Sequence, residues 1–269
     1  MSSSLDYVEV GGLTIAYQKV GSGAPLVLLH GYVGDGRATW RPQLESLSRE
    51  FTVVAWDAPG AGGSADPPEN FGIAGYADCL AAFIDILGLG PVHLLGLSFG
   101  GAIALAFQHR HRALVRTLVL ASAYAGWRGS LPPATAASRL AQALRLSEMP
   151  RRDFVDTLLP TMFALPVPPE DFEAFRASME EFHPLGFRAM AMASAEDLND
   201  VLPGVNVPTL LIYGDHDQRA PLAVADNLHR EIATSRLVVL ENAGHVCNVE
   251  LPHQFNEVVR TFLMNPYAP

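Results

Sequence analysis

The chain opens with a segment in which apolar and polar residues alternate on either side of Gly11-Gly12. A period of two is typical of a half-buried strand, and two glycines between such runs favour a tight turn. We therefore predict an antiparallel hairpin between Tyr7 and Gly21. The apolar positions of this hairpin are Val8, Val10, Leu13, Ile15 and Tyr17.

Six later runs are short, almost entirely apolar and rich in branched side chains. Such runs predict strands that are buried on both faces, as in a parallel sheet. They cover residues 26–30, 52–56, 92–96, 117–121, 209–213 and 237–240. Longer segments with helical character separate them, at 73–87, 100–111, 221–231 and 253–263. Strands that alternate with helices predict a parallel sheet with right-handed crossovers.

The alternation stops once, between Ala123 and about Val201, where the residues look helical and are interrupted by prolines. We interpret residues 125–200 as a helical lid inserted into one core, whose two parts are residues 1–124 and 201–269. The lid contains five of the seven methionines, six of the thirteen phenylalanines and Trp127. As a whole it predicts an apolar substrate pocket, although packing against the core explains any single Met or Phe more simply.

Composition and net charge argue against several classes of function for this chain. Of the 269 residues, 49% are hydrophobic and 17% are charged, which excludes a disordered chain. A net charge of -10 disfavours nucleic acid and anionic lipid as partners. Lys19 is the only lysine, so Schiff-base chemistry and P-loop phosphate binding are both disfavoured.

Localisation is predicted from the cysteines and from the apolar segments. Cys79 and Cys247 could form one bridge at most, which fits a reducing compartment. The N-terminus lacks the basic and apolar regions of a signal peptide, and no run approaches the ~18 apolar residues of a membrane span. We expect a cytoplasmic protein that does not enter a membrane, and its oligomeric state stays open.

The strongest chemical motif is Gly96-Leu-Ser98-Phe-Gly100-Gly, which stands between an apolar run and a helical segment. A serine on a tight turn from strand to helix is the nucleophile elbow of many hydrolases. The turn exposes the hydroxyl oxygen, and the following helix points N–H groups at a developing oxyanion. Ser98 is therefore the candidate nucleophile.

A serine nucleophile needs an imidazole base and an acid that orients it. Of nine histidines, His245 is the candidate because it follows the last predicted strand, at the sheet edge where Ser98 lies. The other histidines considered fall within a strand (His93), near a helix end (His109 and His111) or on helix surfaces (His229 and His253). Asp215 and Asp217 both follow the strand at 209–213. We select Asp217 as the acid and interpret Asp215 as a cap of nearby backbone amides.

With these motifs the chain resembles the α/β-hydrolase superfamily, in particular its lidded esterases, C–C hydrolases and lactonases, over residues 5–124 and 201–264. Further motifs support the resemblance: His30-Gly31, Asp57-Ala-Pro-Gly60-Ala-Gly-Gly-Ser64, and Gly214, Asp217 and Pro221. It implies a mostly parallel eight-stranded sheet with helices on both faces and an inserted helical lid. It also implies that the backbone N–H groups of Tyr32 and Phe99 form the oxyanion hole and that His30 is structural.

The serine at the elbow separates this chain from epoxide hydrolases and haloalkane dehalogenases, which resemble it but carry aspartate there. The loop at residues 30–36 also lacks the Gly-Gly-Gly run of many lipases. The resemblance favours acyl transfer on a small apolar ester, lactone or thioester, without metal or organic cofactor. Hydrolysis of a carbon–carbon bond in a diketone, and a slow-turnover ligand receptor on the same fold, remain alternatives.

Overall fold

The structure, a computed structural model, describes residues 4–267. Its strands lie within two residues of the predicted runs at both ends of every run, because burial on both faces leaves a local apolar signal. They are β1 (Asp6–Val10), β2 (Leu13–Val20), β3 (Ala24–Leu29), β4 (Phe51–Trp56), β5 (Val92–Leu97), β6 (Val115–Ala121), β7 (Thr209–Gly214) and β8 (Ser235–Leu240).

The helices lie between the strands. They are α1 (Gly36–Thr39), α2 (Arg41–Leu47), α3 (Gly72–Ile86), α4 (Phe99–Arg110), α5 (Gly126–Ser130), α6 (Pro133–Leu146), α7 (Arg151–Leu158), α8 (Pro169–Glu180), α9 (Pro184–Ser194), α10 (Leu222–Glu231), α11 (Cys247–Glu250) and α12 (Pro252–Met264). Short 3₁₀ helices cover Arg112–Leu114, Leu159–Thr161 and Asn199–Gly204. The four predicted core helices are confirmed as α3, α4, α10 and α12, whereas the short helices α1, α2 and α11 were not predicted.

The eight strands of the described chain form one sheet in the order β1-β2-β4-β3-β5-β6-β7-β8. The predicted hairpin is confirmed: β1 and β2 are antiparallel and turn at Gly11-Gly12, where both φ angles are positive. The β2–β4 pair is also antiparallel, and every pair from β4 to β8 is parallel. The expected mostly parallel eight-stranded sheet is therefore confirmed.

Helices cover both faces of this sheet, and the strand order explains which helix lies where. From β3 to β4 the chain moves one way along the sheet, and from β4 through β5 to β6 it moves the other way. Right-handed crossovers then place α2 on one face and α3 and α4 on the opposite face. In agreement, α3 packs on α4, while α12 packs on α2.

One detail of the strand prediction was wrong. The runs were expected to be buried on both faces, but β8 lies at one edge of the sheet and is only partly buried, with 39% of Val239 exposed. An edge strand has a neighbour on one side only, and apolar sequence alone does not reveal which strand is outermost. No helix within residues 4–267 is long and apolar enough to cross a membrane.

Helices α5 to α9, which we call the inserted helices, lie between β6 and β7, and we call the whole stretch between these two strands the inserted segment. Their phenylalanines cluster, with the ring centroids of Phe154 and Phe182 4.0 Å apart. Phe187 joins this cluster to the core, because its ring stacks on Tyr32 at 5.2 Å. Met179 and Met190 are fully buried in the same packing. Packing therefore accounts for these methionines, as the simpler interpretation held.

Candidate active site

Ser98 stands between the last residue of β5 and the first residue of α4. Its φ of 53° and ψ of -111° lie in a region that side chains rarely adopt. Such a conformation costs on the order of 1–3 kcal/mol and persists only where the surrounding structure enforces it. The Ser98 N–H donates to Ala121 O on the neighbouring strand at 2.8 Å, which fixes the turn to the sheet.

The glycines around Ser98 are required by close approach of the backbone. A Cβ at Gly100 would lie 2.1 Å from the carbonyl oxygen of Leu29, and one at Gly96 would lie 2.4 Å from Gly100 C. Backbone atoms cannot move away as a flexible side chain can. The motif therefore specifies a turn that only glycine permits, and this turn presents Ser98 at the carboxyl end of β5.

Asp217 and His245 follow β7 and β8, and the structure brings them together. His245 Nδ1 lies 2.9 Å from Asp217 Oδ2, and both residues are buried. The other carboxylate oxygen, Oδ1, accepts the N–H groups of Arg219 and Ala220 at 2.8 and 2.9 Å. A carboxylate on Nδ1 favours the tautomer that leaves Nε2 as the acceptor.

Electrostatics favour an ionised Asp217. Burial alone would raise the pKa of Asp217, but the His245 charge and hydrogen bond, together with the two backbone N–H groups, lower it.

The interpretation of Asp215 as a backbone cap was wrong. Its carboxylate lies 3.5 Å from the ring of His216, and among the described residues no backbone N–H donates to it. Asp217 provides the caps because its side chain turns inward.

Ser98 and His245 border the same cavity. Its other lining residues include Tyr32 from the loop after β3, Met162 directly after the 3₁₀ helix Leu159–Thr161, and Phe175 from α8. The accessible volume is about 10 Å³, which is room for about one water molecule. In the described structure Ser98 and His245 form no hydrogen bond with each other. Catalytic hydrogen bonds are often long in enzymes without substrate. Met162 and Phe175 thus fill the space that a substrate would need.

The loop after β3 is held by His30, which lies outside the cavity lining. Its Nε2 accepts the Ala58 N–H at 3.0 Å, and Nδ1 donates to Gly31 O at 2.5 Å. Burial lowers the pKa of His30, so the ring stays neutral and can make both bonds. This arrangement agrees with the family resemblance, which implies that His30 has a structural role and not a catalytic one.

Tyr32 lines the cavity together with Ser98, and Phe99 directly follows Ser98 in the chain. Gly31 approaches Ser98 closely: a Cβ at Gly31 would lie 3.8 Å from Ser98 Cβ. Phe99 is the first residue of α4, where backbone N–H groups have no partner within the helix. In the part of the chain that the structure describes, neither the Tyr32 N–H nor the Phe99 N–H donates a hydrogen bond.

Two residues with long-range contacts around this site were missed from the sequence. Asp57 accepts the Gly36 N–H at 2.8 Å and the Gly63 N–H at 2.9 Å, and so joins two loops at the sheet edge. Burial and the nearby Asp35 charge raise the pKa of Asp57 to about 7. Its position within a recognised motif was the available signal, but the motif does not indicate what the carboxylate contacts.

Arg219 is the second of these residues. Its guanidinium donates to Tyr32 Oη at 2.6 Å and to Thr161 Oγ1 at 2.9 Å, while its backbone N–H caps Asp217. One residue therefore connects the acid loop, the loop after β3 and the inserted segment. No sequence signal indicates such contacts.

Within residues 4–267, no group of three or more His, Cys, Asp or Glu side chains is arranged to hold a metal ion.

Comparison with known proteins agrees with this architecture. A 2-hydroxy-6-oxo-2,4-heptadienoate hydrolase from Pseudomonas putida is 30% identical over 273 residues, which cover 95% of each chain. A solved esterase from Thermogutta terrifontis matches with a TM-score of 0.86 at 28% identity, over 99% of this chain and 100% of that one. An enol-lactonase from Burkholderia xenovorans matches at 0.86 and 27%, over 97% and 100%. Because the model of the alpha/beta hydrolase family also matches residues 26–258, this chain belongs to that family and is a hydrolase.

Proposed function

We propose that this hydrolase cleaves a carboxylic ester, lactone or thioester of a small apolar molecule through an acyl-enzyme on Ser98. The observation that carries the proposal is the cavity that Ser98 shares with His245, whose Nδ1 is held by Asp217. A nucleophile, a base and a group that orients the base are the three parts that serine catalysis needs.

In the first step Ser98 Oγ attacks the carbonyl carbon and His245 Nε2 takes the hydroxyl proton. Asp217 stabilises the imidazolium that forms. The tetrahedral intermediate then collapses, the carbon–oxygen or carbon–sulfur bond to the leaving group breaks, and His245 returns the proton to that group. Water repeats the sequence on the acyl-enzyme, so that the acid is released and Ser98 regains its proton.

The oxyanion of each tetrahedral intermediate is assigned to the backbone N–H groups of Tyr32 and Phe99. Support comes from their place beside Ser98 and from the lack of any acceptor for them in the described residues. Preorganised donors of this kind are worth about 3–4 kcal/mol each in the transition state. The Phe99 N–H also lies at the positive end of the α4 dipole.

The substrate is assigned as small and apolar because apolar side chains surround Ser98. Met162 and Phe175 contribute the apolar wall, and both belong to the segment 125–200 that we propose as the lid. Since about 10 Å³ is free, these two side chains must move before a substrate enters. We assign the control of substrate size to them.

Hydrolysis of a carbon–carbon bond is the second candidate. It is favoured by the 30% identity to an enzyme named as a heptadienoate hydrolase over nearly the whole chain. The same triad, with water as the second substrate, would serve a diketone. A panel that contains nitrophenyl esters, lactones, thioesters and diketones separates the two candidates by which class is turned over.

The decisive test compares Ser98→Ala with the wild type on that panel. We expect turnover of the best substrate to fall by at least ~10³-fold with the fold intact, because the covalent route is lost while the oxyanion donors remain. Mass spectrometry after treatment with an organophosphonate should find a single adduct, on Ser98.

Ser122→Ala is the matched control. Ser122 also has a positive φ and follows the neighbouring strand β6, but it does not line the cavity. We expect its activity to equal that of the wild type. If Ser98→Ala retained wild-type turnover, or if the phosphonate labelled another serine, the proposal would be wrong.

A further inference from the structure

Glu250 is a buried carboxylate that the proposed mechanism does not use. It ends the short helix α11, between Val249 and Leu251, and 7% of its surface is exposed. Burying a carboxylate costs several kcal/mol unless strong partners replace its water. Among the described residues no Lys, Arg or His side chain forms an ion pair with it, and the Asp217 charge raises its pKa further. Its partners are therefore neutral groups.

Those partners are three backbone N–H groups from two separate parts of the chain. Glu250 Oε2 accepts the Gly244 N–H at 2.7 Å, directly before His245. Oε1 accepts the N–H groups of Ala164 and Leu165 at 2.6 and 2.8 Å, in the inserted segment. Burial raises the pKa of Glu250 even though all three N–H bonds oppose that shift.

Two backbone hydrogen bonds strengthen the same junction. The N–H groups of His245 and Val246 both donate to Met162 O, at 3.1 and 3.2 Å. Residues 244–246 and 162–165 are thus joined by five hydrogen bonds in all, three of them through Glu250. The side chain of Met162, on the same segment, lines the cavity.

The His245 ring needs more than Asp217 to reach Ser98 correctly. Asp217 fixes one nitrogen, but a ring held at one nitrogen can still pivot if its backbone shifts. A displacement of about 1 Å in a catalytic group costs about 10²-fold in rate. Glu250 fixes the residue before His245, and Met162 O fixes His245 itself.

We propose that Glu250 is a positioning residue for His245, which it holds by joining Gly244, the residue directly before His245, to Ala164 and Leu165 of the inserted segment; this rests on the proposed function. That segment is then a fixed support of the catalytic base. Room for substrate comes from movement of the Met162 and Phe175 side chains and not from withdrawal of the 162–165 backbone.

Glu250→Gln is the first test. An amide has one acceptor oxygen, so either Gly244 or the pair Ala164 and Leu165 faces an NH₂ group and loses its partner. We expect kcat to fall about 10- to 100-fold, with KM changed by less than about twofold, because the base is displaced while substrate contacts remain.

Glu257→Gln is the matched control, since Glu257 lies on α12 with its side chain 72% exposed and pairs with Arg260. We expect its kcat to be that of the wild type. Should Glu250→Gln be too unstable to purify, Glu250→Asp takes its place, because it keeps the charge but shortens the reach by one methylene. Assays are run below the melting transition of each variant, which circular dichroism defines.

A double-mutant comparison separates positioning from a purely structural effect. In a His245→Ala background, with a nitrophenyl ester and residual turnover measured at high enzyme concentration, Glu250→Gln should change the rate by less than about twofold. A structural effect would lower the rate by the same factor in both backgrounds, and that result would overturn the proposal.

Two further outcomes also decide the matter. Wild-type kcat in both Glu250 variants would overturn the positioning assignment but leave the proposed function intact. Wild-type turnover in His245→Ala would overturn the proposed function itself, so the two failures are distinguishable.

Discussion

Replacing Asp217 with asparagine should impair the chemistry far more than the fold. The asparagine oxygen can still accept the N–H groups of Arg219 and Ala220, which places its NH₂ group toward His245 Nδ1. Two donors cannot face each other, so the ring must carry its proton on Nε2. That nitrogen then cannot accept the proton of Ser98.

The size of the effect follows from these contacts. Loss of the correct tautomer should lower kcat by roughly 10²- to 10⁴-fold, or about 3–5 kcal/mol of transition-state stabilisation. The fold loses one charged hydrogen bond and keeps two neutral ones, which costs about 1–2 kcal/mol. Because 1 kcal/mol shifts Tm by about 2–4 °C in a domain of this size, the protein should stay folded at room temperature.

Asp217 should also make stability depend on pH. Its pKa is lowered in the folded protein, so the folded state binds a proton less readily than the unfolded state does. The stabilisation is therefore present at neutral pH and lost as pH falls through the folded pKa. In denaturant titrations, the free energy of unfolding of the wild type should therefore fall more on acidification than that of Asp217→Asn.

The matched control is Asp215→Asn, in the same turn. Among the described residues its carboxylate pairs only with His216, at 3.5 Å, so we expect stability within about 0.5 kcal/mol of the wild type and unchanged kcat. An inactive Asp215→Asn beside an active Asp217→Asn would refute the assignment of the acid. Equal losses in both would refute the argument from the tautomer.

Three further predictions concern the surroundings of the site. Gly100→Ala should fail to give folded protein by circular dichroism, because its Cβ would lie 2.1 Å from Leu29 O; a folded, active variant would contradict this account. Met162→Ala enlarges a cavity of about 10 Å³ and should raise kcat/KM for long acyl chains relative to acetate, whereas an unchanged chain-length profile would contradict the part assigned to Met162. The pKa of Asp57 is raised from its ordinary value of 3.8 to about 7 in the folded protein. Between these pH values the folded state therefore holds a proton that the unfolded state has released. Stability should therefore fall between about pH 4 and pH 7, on the order of 4 kcal/mol, and Asp57→Asn should remove this slope in urea titrations.

Local sequence patterns determined the positions of the strands and core helices. Apolar runs predicted the buried strands because a strand covered on both faces needs no polar residue. The Gly-x-Ser-x-Gly turn was recognisable as a motif, but only one of its two clashes is local: a Cβ at Gly96 would meet Gly100 within the motif, whereas a Cβ at Gly100 would meet Leu29 on β3, a contact that folding creates. The order of the sheet and the partly exposed β8 could not be read in this way, since each depends on which strands become neighbours.

In the candidate site, too, the sequence indicated some residues, and the contacts of others appear only in the tertiary structure. Motifs and chain order pointed to Ser98, Asp217 and His245, and that assignment stays a prediction. Only the tertiary structure could show that Asp215 turns away, since a difference of two residues in one turn decides which carboxylate meets the imidazole. Glu250 likewise gave no sequence signal beyond a charge within an apolar stretch. Its partners lie up to 86 residues away, and only folding brings such distant groups into contact.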